Sequence, residues 1–306
     1  MPVRLKISSY LYSKIPSTPR PRALSLEAMS YLVDAAAAPS TSPAGSRLPS
    51  TRLKHPIVLV HGLGARSAYG PVQYFFGLPK ILEDAGNRYA VARLTPWHTI
   101  EWRANQLKKQ IEAHFPGEKV NLVAHSMGGL DSRYLVSQLG FADRVASVTT
   151  IGTPNRGSTL ADLSTGLLSE GPVANVAWTS ANRLLGLIKC STEGLKQVTT
   201  RYSSETLSGQ LVDAPGVGYF SAASAIPASF MKASLPGFWI PNQLLRRFEG
   251  DNDGFVSVHS AMWGNHICTY QGDHYGQIGQ LLGRSRGLDY LAFYGEILRR
   301  LNREAM

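Results

Sequence analysis

The sequence predicts an α/β fold, a mostly parallel central sheet with helices on both faces, and three observations carry that expectation. Short apolar runs without polar alternation, such as Ile57 to Val60 and Val120 to Ala124, suit strands buried on both faces. Amphipathic runs of helical length separate them, and strand-helix alternation of this kind builds a parallel sheet. The chain has 306 residues, 43% of them hydrophobic, which is near the upper size for one hydrophobic core. One core carrying an insertion is expected rather than two independent domains.

Residues 1–50 read as an N-terminal extension and linker. Six basic and two acidic residues among many serines and prolines are compatible with a transit peptide, a disordered arm or a packed extension. Ala35 to Ser50, rich in alanine, proline and serine, has the composition of a linker. The main domain is expected over 51–306. Its strands are expected at Ile57 to Val60, Ala90 to Leu94, Val120 to Ala124, Val145 to Ile151, Gly218 to Ala222 and Ile267 to Tyr270. Helices are expected at Glu101 to Phe115, Met127 to Gln138 and Leu288 to Asn302.

The segment Ala124-His125-Ser126-Met127-Gly128-Gly129 joins the third strand to the second helix. A serine on a sharp strand-to-helix turn is the geometry of a nucleophile elbow, which needs small neighbours because bulk beside it would press on the adjacent strand and helix. Gly128 meets that need, and Ala124 stands where the G-x-S-x-G pattern has glycine. A helix N-cap also explains a serine at this place. The first strand ends in His61-Gly62-Leu63-Gly64, where glycines let the backbone approach a substrate closely. The Leu63 N–H, together with the Met127 N–H after the serine, is the candidate oxyanion hole. An ordinary strand-to-loop glycine turn is the alternative.

The run Pro56 to Gly64, the segment Ala124 to Gly129, Gly152-Thr153-Pro154-Asn155-Arg156-Gly157-Ser158, and Gly250-Asp251-Asn252-Asp253-Gly254 followed by His274 resemble the pseudomonad-type bacterial triacylglycerol lipases. A related group of intracellular fungal lipases is also similar. The resemblance covers about half of the chain, strongest from His55 to Ser158 and from Gly250 to Gln280, and leaves out residues before about Thr51. It implies the α/β-hydrolase fold with a serine, an aspartate and a histidine in that order. Carried onto this chain, it makes Ser126 the nucleophile, Asp253 the orienting acid and His274 the base.

Local chemistry bears on each choice. Asp253 lies in a loop too polar and glycine-rich for strand or helix, although Asx-turn chemistry explains such a cluster equally. Asp253 is preferred to Asp251, and Asp213 is a further candidate. Of the eight histidines, His55, His61, His98 and His114 precede the serine, and His125 adjoins it and cannot fold back onto its hydroxyl. His266 begins a strand, His274 sits in a flexible loop after that strand, and His259 is the main rival. In the implied mechanism His274 takes the proton of Ser126, Asp253 fixes the imidazole tautomer, and water resolves an acyl-enzyme.

One departure from the resemblance concerns metal. Those lipases bind a structural calcium, with an aspartate two residues after the catalytic histidine and another between the last strands. Gly276 stands at the first position, and no acidic residue occurs from Ala214 through Phe248. Calcium needs hard oxygen ligands, so the site is expected to be absent, with no metal and no cofactor.

Between Asn155 and about Leu207, apolar residues at helical spacing (Leu160, Leu163, Leu167, Leu168, then Leu184, Leu185, Leu187, Ile188) read as a helical cap or lid inserted over the site at 155–207. Such a cap can open at a lipid interface or be permanently packed. Ala233 to Pro241 reads as an apolar, proline-bounded loop, either lining an acyl pocket or packed in the core.

Composition excludes several classes. No run approaches a membrane span of about 18 residues. Lysine and arginine exceed aspartate and glutamate by 31 to 21, which favours anionic lipid surfaces or solubility, while dispersed basic residues without a binding motif argue against nucleic acid. Cys190 and Cys268 are expected as free thiols, with a pairing between cap and core as the alternative. Without an apolar signal segment, an intracellular location is the expectation. The reading is a serine hydrolase acting on carboxylic esters of lipids. A thioesterase, phospholipase or acyltransferase with the same triad is the nearest alternative, and a non-catalytic binding protein a more distant one.

Overall fold

Alternate residues of the first strand go to opposite sides, and that alternation builds a three-layer structure. The computed structural model describes residues 51–69, 72–169, 193–227, 239–280 and 289–304. Strands β1 (Ile57–Val60), β2 (Tyr89–Val91), β3 (Val120–His125), β4 (Val145–Ile151), β5 (Gly218–Ala225) and β6 (Asn265–Gln271) form one sheet in the order β2-β1-β3-β4-β5-β6. Every neighbouring pair is parallel. Parallel strands need crossovers, and the long helices supply most of them: α1 (Leu78–Asp84), α2 (Ile100–His114), α3 (Met127–Gln138), α4 (Thr159–Ser169) and α5 (Trp239–Phe248), with α6 (Tyr290–Glu304) closing the fold.

Ile57, Leu59, Val123, Ile151 and Phe220 face one side, where they pack with Leu78 and Leu82 of α1 and Phe293, Tyr294, Ile297, Leu298 and Leu301 of α6. Val58, Val60, Leu122 and Val148 face the other, against Leu107 and Ile111 of α2 and Leu135 and Val136 of α3. Burying each such side chain contributes about 1.5–3 kcal/mol, so both layers are needed to hold the sheet. The starts of α2 and α6 are fixed by polar side chains. Thr99 accepts from the Trp102 N–H at the start of α2, and Asp289 accepts from the Ala292 N–H at the start of α6.

The structure differs from the sequence expectation in three places. β2 stops at Val91 rather than Leu94, because the Gln110 carboxamide takes both the N–H and the C=O of Arg93 and replaces the ladder there. Trp239, Ile240 and Pro241 begin helix α5 instead of belonging to a loop, with proline in the first turn where its missing N–H costs nothing. α1 and a small pairing of Ala68–Tyr69 with Val72–Gln73 were not expected. The extension and linker at 1–50, Cys190, residues 233–238 and the middle of the expected cap, 170–192, lie outside the described residues. Among the described residues, no helix is long and apolar enough to cross a membrane.

Candidate active site

Four loops meet at the C-terminal edge of the sheet, where open α/β sheets place their ligands. They follow β1, β3, β5 and β6. Ser126 follows β3 with φ 57° and ψ −136°, and among the described residues it is the one non-glycine with positive φ. Such a backbone costs about 1–3 kcal/mol and survives only where the surroundings over-determine it. Here they do: the Ser126 N–H donates to Ile151 C=O at 2.9 Å, and the Ser126 C=O accepts from Gly129 N–H at 3.0 Å and Thr153 Oγ1 at 2.8 Å. Ser126 stands at the N-cap of α3, yet its side chain makes no capping bond. Gly128 is required by the turn, since a Cβ there would lie 2.7 Å and 2.8 Å from the carbonyl oxygens of Val60 and His61.

The turn after β1 packs directly on the serine. A Cβ on Gly62 would come within 2.8 Å of Ser126 Cβ and 3.2 Å of its Oγ, so only glycine lets the two loops approach this closely. Arg103 of α2 holds the turn from beneath. Its guanidinium donates to His61 C=O at 2.7 Å, Gly62 C=O at 3.3 Å, Thr95 C=O at 2.8 Å and Asp131 Oδ2 at 2.8 Å. Both members of the Arg103–Asp131 pair are fully buried, and burial pushes the Asp131 carboxyl up to about 7 against the pull of the guanidinium. His61 accepts from Leu94 N–H on Nε2 and so donates from Nδ1 to Gly62 C=O; burial, reinforced by Arg103, pushes its imidazole down to about 3. Leu63 and Met127 both line the cavity beside Ser126, and neither backbone N–H has an acceptor among the described residues. Met127 opens α3, where first-turn amides have no partner inside the helix.

Asp253 and His274 meet across the β5–β6 connection. His274 Nδ1 lies 2.7 Å from Asp253 Oδ2, and the two loops are also joined by His274 N–H donating to Asp253 C=O at 2.9 Å. Asp253 Oδ1 accepts from the N–H groups of Phe255 and Val256 at 2.9 Å and 2.8 Å. The Asx turn and the histidine contact thus coexist, one on each carboxylate oxygen. Gln277 Nε2 adds a fourth donor, 2.9 Å from Oδ2, and also donates to Ser224 Oγ. The imidazole of His274 rests between His125 and Phe255, with ring centroids 4.4 Å and 5.3 Å away. The other candidates lie elsewhere. His259 is exposed, His266 bonds Ser221 and Thr269 within the sheet, Asp251 faces Arg246, and Asp213 accepts from the Trp263 indole.

Ser126 and His274 open onto one cavity of about 570 Å³. Its walls are mainly apolar, from Leu63, Trp97, Pro154, Phe255, Val256 and Ile278 among others, and the expected cap contributes Leu160 and Ala161 of α4 with Leu195 and Val198. Where the lipases of the sequence resemblance carry a calcium-binding aspartate, Gly276 donates its N–H to Asp273 Oδ1 at 2.7 Å. Among the described residues, no three His, Cys, Asp or Glu side chains are grouped to hold a metal. Cys268 is a free thiol that burial pushes up to about 12, away from reactivity.

Sequence reasoning missed Tyr74, Arg103, His125 and Gln277. Arg103 had a signal: it sits on the apolar stripe of α2 with Ile100, Ala104, Leu107 and Ile111, where a charge must have a buried partner. The rest had none, because a loop glutamine or a strand histidine looks the same whether it touches a site or not.

Comparison with known proteins gives a consistent result. A family model described as alpha/beta hydrolase fold matches residues 95–184. The chain is 31% identical to a triacylglycerol lipase of Vibrio cholerae over 258 residues, covering 76% of this chain and 82% of that protein. It is 28% identical to a triacylglycerol lipase of Burkholderia plantarii, covering 75% and 80%, and 30% identical to triacylglycerol lipase 2 of Saccharomyces cerevisiae, covering 65% and 59%. The fold matches the crystal structure of the Staphylococcus hyicus lipase with a TM-score of 0.66 at 17% identity, covering 85% of this chain and 98% of that one. It matches the mature Bacillus licheniformis lipase BlEst2 with a TM-score of 0.61 at 22% identity, covering 85% and 96%.

Proposed function

Given that the chain belongs to the triacylglycerol lipase family of the α/β-hydrolase fold and cleaves carboxylic ester bonds, we propose that it does so through an acyl-enzyme on Ser126, with His274 as base and Asp253 as orienting acid. The observation that carries this reading is the strained backbone of Ser126, which lifts its hydroxyl onto the cavity that His274 also lines. Asp253 Oδ2 accepts a hydrogen bond from His274 Nδ1–H and keeps the proton on that nitrogen, so the free Nε2 of His274 is the basic nitrogen. As Ser126 Oγ attacks the ester carbonyl, its proton passes to that nitrogen and the ion pair with Asp253 stabilises the imidazolium. Negative charge then builds on the carbonyl oxygen, where the N–H groups of Leu63 and Met127 receive it. Losing one such donor typically costs about 2.7–4 kcal/mol of transition-state stabilisation. The alkoxide leaves with the imidazolium proton, and water repeats the cycle on the acyl-enzyme.

The apolar walls favour the acyl chain of a lipid ester over a charged substrate, because a buried ion without a partner is expensive. The test is turnover of esters from short acyl chains to emulsified triglyceride by the native protein and Ser126→Ala. Loss of turnover in the variant on every ester is expected. Equal rates for the two proteins remove the serine mechanism, and activity confined to short soluble esters removes the lipid substrate while keeping the esterase.

A further inference from the structure

His125 and Tyr74 are buried polar residues that the proposed mechanism does not use. Strand alternation turns His125 away from the Ser126 hydroxyl and toward the face of Val123, where Tyr74 meets it. Tyr74 Oη lies 2.7 Å from His125 Nδ1, and the Gly62 N–H donates to the same hydroxyl at 3.2 Å. On the far side of the ring, His125 Nε2 lies 3.0 Å from the backbone carbonyl of His274.

The chemistry of the end groups fixes every hydrogen in this chain. A carbonyl can only accept, so His125 Nε2 carries the proton. The ring is fully buried, and desolvation with the neighbouring His274 lowers its imidazole well below the usual histidine range, so it is neutral and its Nδ1 accepts. The Tyr74 hydroxyl must then donate to Nδ1, which leaves its oxygen to accept from Gly62. One directed path results: Gly62 N–H to Tyr74 Oη–H to His125 Nδ1, then His125 Nε2–H to His274 C=O.

We infer that Tyr74 and His125 are positioning residues that lock the oxyanion turn and the histidine loop into a single unit around Ser126. The inference rests on the triad and oxyanion roles proposed above. The Gly62 N–H bond fixes the peptide immediately before the one that carries the Leu63 N–H, and the carbonyl of that second peptide, Gly62 C=O, is held by His61 Nδ1 and Arg103, so the two planes of the turn are set together. His274 is gripped at its carbonyl by His125, at its amide by the Asp253 carbonyl and at Nδ1 by the Asp253 carboxylate, which leaves its backbone little freedom to turn Nε2 away from the serine. Such preorganisation matters because the donors must already point at the position where charge develops.

Tyr74→Phe removes one oxygen and keeps the ring. With a soluble ester, kcat is expected to fall on the order of tenfold or more while KM stays nearly constant, since substrate binds the apolar walls in both proteins. Affinity for an alkyl boronic acid, which forms a tetrahedral adduct on the serine, is expected to fall in parallel with kcat/KM. Loss of boronate affinity equal to the loss of affinity for a non-reactive alkyl amide of the same length indicates general loosening and overturns the inference, as does an unchanged kcat. In the native protein, ¹⁵N NMR at neutral pH is expected to find His125 protonated at Nε2 alone, a readout independent of how the variant folds. Protonation at Nδ1 overturns the path. Activity surviving in Ser126→Ala would instead overturn the serine mechanism itself, so the two failures are distinguishable.

Discussion

At the scale of single residues, the acid loop offers the sharpest reading. Asp253 is buried and accepts four hydrogen bonds, two from backbone amides on Oδ1 and two from His274 and Gln277 on Oδ2. A carboxylate only accepts, so the Gln277 amide is oriented with its nitrogen toward Asp253. Gln277→Met keeps length and removes the donor. Hydrogen bonds to charged groups contribute about 1.5–3 kcal/mol, so kcat is expected to fall on the order of ten- to hundredfold with KM little changed. Steady-state kinetics on a soluble ester checks this, and a drop confined to KM contradicts it. Ser126 was legible in the sequence because its strained turn demands a small neighbour at 128. Asp253 and His274 were legible through loop chemistry together with the family resemblance. Gln277, Tyr74 and His125 were not, since their roles arise from contacts 12 to 149 residues apart in the chain, or from bonds to backbone groups that any side chain of the right reach could make.

Whole elements divide by the same logic. The buried strands, α2 and α6 could be read within a residue or two, except that β5 runs to Ala225 rather than Ala222, because an uninterrupted apolar run or a long amphipathic stripe has few competing explanations. α1, seven residues long, could not, and the end of β2 was decided by a glutamine on a neighbouring helix. The segment expected as a cap, 155–207, contributes walls to the cavity beside Ser126. Its returning segment is tied to the outgoing one, with Ser158 N–H donating to Val198 C=O at 2.9 Å and Thr200 N–H to Asp162 Oδ1 at 2.8 Å, and to the core, with Ile100 N–H donating to Gln197 Oε1 at 2.6 Å and Arg133 to Leu211 C=O at 2.7 Å. Val198, Leu207 and Leu211 add apolar packing against Ile100, Met127 and Leu130 beneath the site. Residues 193–211 are therefore expected to stay in place when lipid binds, as a fixed floor rather than a swinging lid. Hydrogen exchange with and without mixed lipid micelles checks this: the amides of Ser158, Thr200 and Leu211 keep the same protection in both. Loss of protection at all three on adding micelles would mean that the segment moves as a unit.

For the molecule as a whole, the polar groups sealed beneath the active site couple its stability to pH. His61 is held down to about 3 and His125 well below the usual range, both chiefly by burial. An unfolded histidine titrates near 6.5, so below that pH the unfolded chain takes up protons that these two folded rings refuse. Their contribution is present above about 6.5 and is lost as pH falls. Asp131 acts in the opposite sense, because burial raises its carboxyl to about 7 and the folded state holds a proton that the unfolded chain releases above about 4. Two histidines against one aspartate leave a net uptake of protons on unfolding below about pH 6.5, so stability falls as pH falls through that range. His55, His98 and His266, lowered by partial burial, add in the same direction. Urea unfolding at intervals from pH 7.5 to 5 measures the slope directly. His125→Gln, which cannot titrate, is expected to flatten it by about one proton, whereas equal slopes for the variant and the native protein would mean that His125 is already protonated in the folded state and that the directed path from Gly62 to His274 does not exist.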